Sequence, residues 1–579
     1  MKTVYLSLGL ALLSLSAYAQ QPAITWGEDF NLKKGTSDLK VITVDKSGAY
    51  LEESHQALKT YFVIGATTRE SATLVKVDKD LKEVYRNSFN KELRGKEFEQ
   101  FVPFEDKIYM FSSEYSKRDR SLAIFASAVD KNTGELTGEW KQVATYQQDA
   151  KSDDINFKIS YSADSSKLII VSSIEGKEKN AYMIQELGKN LKSTTKPVIL
   201  SNEFEHDKYE LEDVIYTTDR KIVLVGRVYE YEEGKKKKAK FLDFSNYNIR
   251  IYNEKGKQQN EINTAINGKW LISTKLVQEK SKDLVLAAFY SNTKKGRTID
   301  GLLVQRINVN DGSILSTSDK AINNSLLSAY GDADDNDDTE DKDDSKEERK
   351  MRENLNKMKD EGEGFSRYMQ FRNIFYTADN GLVILAESYH HYISTSQSYT
   401  PGPNGMSGSW NTTTYYNYIS EDMMMCKIDA AGNIGWIQML PKKQREVIRA
   451  SGPTTTGIGY SYSYSYFLGG NRPFYSGFGA IQSGNTIHIL FNDNTKNASV
   501  VQAGQKVKST LRFSKTDCYI LDLDGTSGKF NRKLFFSNKE VPTAMPRLGA
   551  VIGNDMYMVG KSDRMIGKTK IAVAKITIN

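Results

Sequence analysis

Apolar runs of four or five residues recur along the chain, most of them entered from a turn rich in Gly, Asn, Asp or Lys. The clearest unit lies between Asn380 and Leu440. The turn Ala378-Asp379-Asn380-Gly381 leads into Leu382–Ala386, and after a long excursion Met423–Ile428 runs into the turn Asp429–Asn433 and the strand Ile434–Met439. Runs this short between turn signals read as strands, and Gly and Asn supply the positive φ that tight turns need. An equivalent run appears at Tyr61–Gly65, Lys107–Phe111, Lys167–Val171, Lys221–Val225, Asp283–Ala287, Gly381–Leu385, Thr486–Leu490 and Asp555–Val559. In most units one plausible strand precedes this run. Another follows it, for example Leu74–Val77, Ala123–Ala126 or Ile249–Tyr252, and then a polar turn and a fourth strand.

Four short antiparallel strands, here A to D, repeated at a period of tens of residues predict an all-β fold, a β-propeller whose blades bury their faces against one another. The coherent count is eight blades, with seven as the fallback. A sandwich or a two-domain arrangement explains the repeat less well. The eighth unit has a third strand, Ile571–Ile576, but the sequence stops at Asn579 without a fourth. Ile24–Phe30 is a strand without a unit, and its Trp26-Gly27 pairing echoes Gly435-Trp436. An N-terminal strand that completes the last blade would remove both exposed edges.

In such a blade the A–B and C–D turns lie on one face of the ring, and the B–C loops and D–A crossings on the other. The long insertions, at 230–245, 323–364, 389–420, 441–476 and 492–514, all fall on that second face. Insertions on a rigid scaffold are where binding and catalysis concentrate. Residues 20–579 are expected to form a single domain that carries them.

Two of these insertions have an unusual composition. Eleven of the 33 tyrosines lie between Tyr389 and Tyr475, and no Asp, Glu, Lys or Arg occurs from Ser388 to Ser420. Aromatic residues among Ser, Gly and Asn give large contact area at small entropic cost, as in antibody paratopes. The candidate binding residues are Tyr389, Tyr392, Trp410, Tyr415, Tyr416, Tyr418, Tyr460, Tyr462, Tyr464 and Tyr466. The last four alternate with Ser and would line one face of a strand. The competing reading is an extended hairpin whose tyrosines pack on neighbouring loops.

Composition adds the compartment. Lys2, the apolar stretch Tyr5–Leu15 and Ala17-Tyr18-Ala19 before Gln20 fit an export signal over residues 1–19, cleaved before Gln20, and no transmembrane segment follows. The mature protein is expected in the periplasm or outside the cell. A net charge of +6 over 579 residues gives no case for nucleic acid. Two cysteines, Cys426 and Cys518, do not make a disulfide framework, and strand parity points them to opposite faces as buried thiols.

Catalytic signals are sparse. The five histidines form no zinc or hydrolase motif, and His390-His391 cannot readily share a metal because neighbours in a strand point oppositely. His488, in strand B of the seventh unit, is expected to be a packed core histidine. Asp332-x-Asp334-x-Asn336 has the spacing of a calcium loop. Its sixth position is Asp337 where such loops use Gly, so a solvated acidic loop is the better reading and no cofactor is expected. A short surface helix is expected around Met351, Leu355 and Met358.

The Asp429, Gly432 and Trp436 pattern resembles that of secreted and periplasmic bacterial β-propeller repeat proteins, including binding scaffolds. Ala128, Asp130, Thr133, Gly134 and Trp140 are similar to the tryptophan-docking repeat of quinoprotein propellers, with the Trp two residues late and no vicinal Cys pair. The resemblance implies an architecture rather than an activity. The expected function is an exported, non-enzymatic binding or scaffold propeller, monomeric or part of a hetero-complex, that holds an envelope or extracellular protein or glycan. The alternative is a propeller hydrolase or lyase that acts on glycans or peptides at the axial mouth.

Overall fold

The computed structural model describes residues 22–31, 38–54, 72–193, 196–231, 234, 242–263, 269–279, 282–293, 299–322, 369–400, 409–450, 473–503, 505–562 and 570–578. The export signal, the calcium-like loop, the short helix around Met351 and residues Tyr460–Tyr466 lie outside these residues. Among the described residues, no helix is long and apolar enough to cross a membrane, and no three His, Cys, Asp or Glu side chains cluster as metal ligands.

Eight antiparallel sheets form an eight-bladed β-propeller. Blade 1 is Asp38–Asp45, Gly48–Ser54, Ala72–Val77 and Glu83–Ser88, and blade 6 is Met369–Tyr376, Leu382–Thr400, Ser409–Ile428 and Ile434–Leu440. The first strands of successive blades contact one another and so line the axis. The core is a series of apolar clusters in the seams between blades, because each blade is apolar on both faces. Cys426 and Cys518 are buried, unbridged thiols in two separate clusters. One expectation needs correcting. The second strand of blade 1 is Gly48–Ser54, and Tyr61–Gly65 lies outside the described residues.

The N-terminal strand closes the ring. Ala23–Trp26 pairs with the strand Lys570–Thr577, with Ile24 opposite Ile576 and Trp26 opposite Ala574. After a short irregular stretch, Phe30 pairs with Ile571. The eighth blade thus takes its outermost strand from the other end of the chain.

The polar turns between strands C and D do more than reverse the chain. In blades 1, 2, 4, 5, 6 and 7 the turn begins with an Asp or Asn whose side chain accepts hydrogen bonds from the turn's own amides, as Asp429 Oδ1 does from Ala431 N at 2.9 Å and Asn433 N at 2.7 Å. Many end on a glycine at positive φ that rests against the outer strand of the preceding blade. Trp436 Nε1 of blade 6 donates to Thr526 O of blade 7 at 3.0 Å, and a methyl group added at Gly528 (φ +70°) would lie 2.6 Å from the Trp436 ring. Ser201 N donates to Gly256 O at 2.9 Å across the blade 3–4 seam, and Asn260 Nδ2 to Asn310 O at 3.2 Å across the next. At the closing seam, Gly27 of the N-terminal strand sits against Leu81 of blade 1.

This latch can be tested at one glycine against another. Gly528→Ala should lower stability by about 2 kcal/mol or more, combining the left-handed backbone penalty with displacement of Trp436. Gly553→Ala, at φ +63° with open space around it, should lose only about 1 kcal/mol. Equal losses in chemical denaturation would show that the Trp436 contact contributes nothing.

Candidate functional site: the arm and the axial mouth

Blade 6 outgrows the ring. Its second and third strands continue pairing from Tyr389 opposite Ser420 to Thr400 opposite Ser409. A further strand, Gln444–Ala450, pairs with the third from Ser420 opposite Gln444 to Thr414 opposite Ala450. The result is a three-stranded arm on the face of the ring that carries the insertions.

Strand alternation gives the arm one organised side. Tyr389, Tyr416 and Tyr418 are buried together there, with Ile448 packed against them. His391 stands opposite Tyr418, their rings 6.1 Å apart and stacked. Crowding by protein atoms holds the His391 imidazole below its ordinary pKa although its edge is open to solvent. Burial raises the pKa of the Tyr416 and Tyr418 phenols, so both stay protonated. Tyr415 is half-buried. Tyr392 and Trp410 are placed by their backbones, opposite Asn417 and Tyr399, and their side chains lie outside the described residues.

The base of the arm is a buried polar network. Glu446 is opposite Tyr418, and its carboxylate accepts the backbone amides of Phe474, Tyr475 and Ser476, each at 2.8 Å. Burial pushes its pKa up, and those three amides pull against that shift. Gln444 accepts from Gly477 N at 2.7 Å and donates to Asn492 O at 2.6 Å. The chain that enters blade 7 is thereby tied to the arm of blade 6.

Next to this network three cations converge on one carboxylate. Glu387, 1% exposed, receives Lys442 Nζ at 2.6 Å and Arg372 Nε at 3.2 Å, and Arg547 Nη1 lies 3.5 Å away. Burial alone would raise the Glu387 pKa, but Lys442 and the two arginines outweigh it and hold the group ionised. Desolvation, and then the neighbouring Arg547, depress Arg372 to about 10. Both guanidiniums also meet Tyr389, at 4.5 Å and 4.6 Å from the ring centre. Arg547 belongs to a short turn in the innermost strand of blade 8, so this cluster spans the axis-facing edges of blades 6 to 8. Gly477 permits the approach, since a methyl group there would lie 2.9 Å from Arg547 Nη1.

A local backbone irregularity presents Arg372. The first strands of blades 1, 2, 4, 5 and 6 share a bulge at one position, and the extra residues are Ile42, Glu99, Glu212, Ile272 and Arg372. A bulge re-aims the side chain it carries. In blade 4 the equivalent pair has the opposite polarity, with Arg227 Nε donating to Glu212 at 2.9 Å. Blade 2 has Ser113 donating to Glu99 at 2.6 Å. The position is thus a recurrent polar contact, and blade 6 alone adds a second arginine and a lysine to it among the described residues.

His488 is a buried strand residue whose Nδ1 lies 2.7 Å from Asp522 Oδ1. His488 and the tyrosines were anticipated by the sequence, but the buried network at the base of the arm and the cation cluster came from no motif. Glu387, Lys442 and Arg547 carry no local signal, because their partners are distant in the chain.

No protein-family model matches the sequence, and no curated protein does. Among solved structures the chain is similar to the polysaccharide lyase Uly1, at 8% identity over 95% of this chain and 100% of that one, with a TM-score of 0.33. It is also similar to a protein of unknown function from Dyadobacter fermentans (8% identity, 75% and 97% covered, TM-score 0.30). A third is the GH93 α-L-arabinofuranosidase of Fusarium graminearum (11% identity, 52% and 98% covered, TM-score 0.27). Likenesses of that size say nothing about chemistry. Fold and site together define the class: an eight-bladed β-propeller with a three-stranded arm beside its axis.

Proposed function

We propose that this is an exported binding propeller that holds an envelope or extracellular protein or glycan on the face from which the arm rises. One observation carries the reading. The arm is a three-stranded extension of the rigid ring that presents Tyr399, exposed, and Tyr415, half-buried, and it is anchored through Glu446, Gln444 and Tyr389. A pre-organised surface of that kind loses little entropy on binding. The uncharged stretch Ser388–Ser420 also avoids the desolvation that buried charge would require.

The test shortens the arm and leaves its buried tyrosines in place. Replacing residues 395–414 with a two-residue Asn-Gly turn, which joins the paired Ser394 and Tyr415, should leave the melting temperature within a few degrees of wild type. It should abolish retention of ligands from a panel of glycans and of isolated envelope proteins. Identical retention by both proteins would overturn the binding role of the arm. Turnover of any glycan or peptide in the panel would replace this reading with the hydrolase or lyase alternative.

A further inference from the structure

The arm has two outer edges, and the sequence treats them differently. One is the strand Gln444–Ala450. It carries Arg445 and Arg449, and Thr510 caps its start by accepting from Arg445 N at 2.9 Å and donating to Lys443 O at 2.8 Å. The other edge is the stretch His390–Thr400 of the second strand, on the side of the axis. The first strand of the blade stops pairing at Met369 opposite Ser388, and among the described residues no strand takes its place beyond that point. This edge runs for eleven residues without a charge or a proline. Those are the devices that keep an open edge from pairing with another chain. His391 and Tyr399, near its two ends, are exposed.

The edge also has a definite polarity. Gln370 Nε2 donates to Tyr389 O at 3.2 Å from this side. In an antiparallel ladder the N–H and C=O of one residue point the same way, and successive residues alternate. His391, Ile393, Thr395 and Gln397 therefore turn their backbone groups outward, and Tyr389, held by Gln370, ends the open run.

We propose that two copies of this chain pair antiparallel through this edge, about a two-fold axis at Thr395, and so join their arms into one continuous sheet. The edge is complementary to itself. When a strand pairs antiparallel with its own copy, outward residues must face outward residues, so the axis passes through a residue and not between two. His390–Thr400 has such a middle residue, Thr395, and the whole edge overlaps around it. Thr395 then lies opposite Thr395, Ile393 opposite Gln397 and His391 opposite Tyr399. Thr–Thr and aromatic pairs stabilise a ladder, and like charges placed opposite each other destabilise it. Two-fold pairing would bring any charge on this edge close to its own copy, and the edge has none.

Other occupants fit less well. A glycan offers no row of donors and acceptors at the strand repeat. The chain's own stretch Asp332–Glu363, which precedes the first strand of blade 6, is mostly charged. Pairing uses the backbone edge and leaves both faces of the arm open, so the ligand-binding reading stands or falls separately. The monomer expected from the sequence becomes a homodimer.

The experiment is sedimentation equilibrium of the full chain over a range of concentrations, with Thr395→Pro and Thr395→Lys beside wild type. Wild type should reach twice the mass of one chain. Each variant should raise the dissociation constant by about tenfold or more, proline by removing the central N–H and lysine by setting two like charges face to face. The Thr395 N–H faces away from the strand Ser409–Ile428, so both variants keep that ladder and should melt like wild type. Thr395→Cys reads the register. Oxidation should link two chains at that position, and Gln397→Cys should link them far more slowly, because its symmetry mate lies further along the strand. The native thiols, Cys426 and Cys518, are buried and do not compete. A wild type that stays monomeric throughout would overturn the proposal. So would a dimer that survives in both the proline and the lysine variants, or one that Gln397→Cys links as readily as Thr395→Cys.

Discussion

Deleting residues 20–32 is expected to lower the melting temperature of the whole ring. Those residues supply the outermost strand of blade 8, and their loss exposes the edge of Lys570–Thr577. Phe30 is buried in a cluster with Leu51, Val75, Val559 and Val573, which joins blade 8 to blade 1. Ile24 and Trp26 pack against the seam with blade 7, where Trp26 meets Phe536 edge-on at 5.8 Å. Removing a buried Phe alone costs about 3–5 kcal/mol, so the truncation should exceed that. The newly open edge should also promote association, visible as larger species in light scattering. A truncated protein that melts like the full chain and stays monodisperse would show that closure by this strand contributes nothing.

Arg532→Ala should be the most damaging single substitution in the interior. Arg532 Nη2 lies 2.8 Å from Asp493 Oδ2, and both side chains are 0% exposed. Arg532 also donates to Val500 O at 3.0 Å and stacks 4.1 Å from the centre of the Tyr519 ring. Burying two charges is worthwhile only while they remain together, and removing one partner costs about 3–5 kcal/mol. Arg532→Met combined with Asp493→Asn should recover part of that loss. The amide keeps an acceptor for Thr510 Oγ1, which donates to Asp493 Oδ1 at 3.1 Å, and removes the stranded charge. Urea denaturation of the two proteins gives the comparison. A single variant as stable as wild type would mean that water reaches Asp493. The same loop holds the arm, through Arg445 N to Thr510 O at 2.9 Å, so limited proteolysis of the single variant should cut the arm sooner.

The ring was legible in the sequence because its signal is local and repeated. Apolar runs between turn residues marked the second strand of seven blades, and the orphan strand Ile24–Phe30 pointed to closure. Blade 1 escaped because Glu52 and Glu53 break the apolar run in its second strand, Gly48–Ser54. Both are buried. Glu52 meets Lys40 at 3.1 Å and accepts Phe101 N at 3.0 Å, and Glu53 pairs with Arg86. A buried charge with a distant partner reads locally like a charge in water.

The same blindness hid the axial mouth. Glu387 and Lys442 sit in stretches that look like strand ends, and Arg547 looks like a surface turn residue. Only the ring brings blades 6 and 8 together. The tyrosine alternation of the arm was visible, but sequence cannot say which side of an extra strand packs. Tyr389, Tyr416 and Tyr418 are buried and Tyr415 only half so, because one side of the arm faces the ring. The shared bulge at Arg372 depends on register, which no run of residue types discloses.

Ring closure also orders events in time. A ribosome delivers residues 23–31 first and their partners, 570–577, last, so the closing strand waits for almost the entire chain before it can pair. Contacts between such distant residues form slowly, because the intervening chain must be ordered before they bring any return. Until then Ile24 and Trp26 are apolar groups on an unpaired strand, and the last blade presents a matching open edge. A chain released early, ending before Lys570, keeps that strand without its partner and can pair with the edge of a neighbouring molecule.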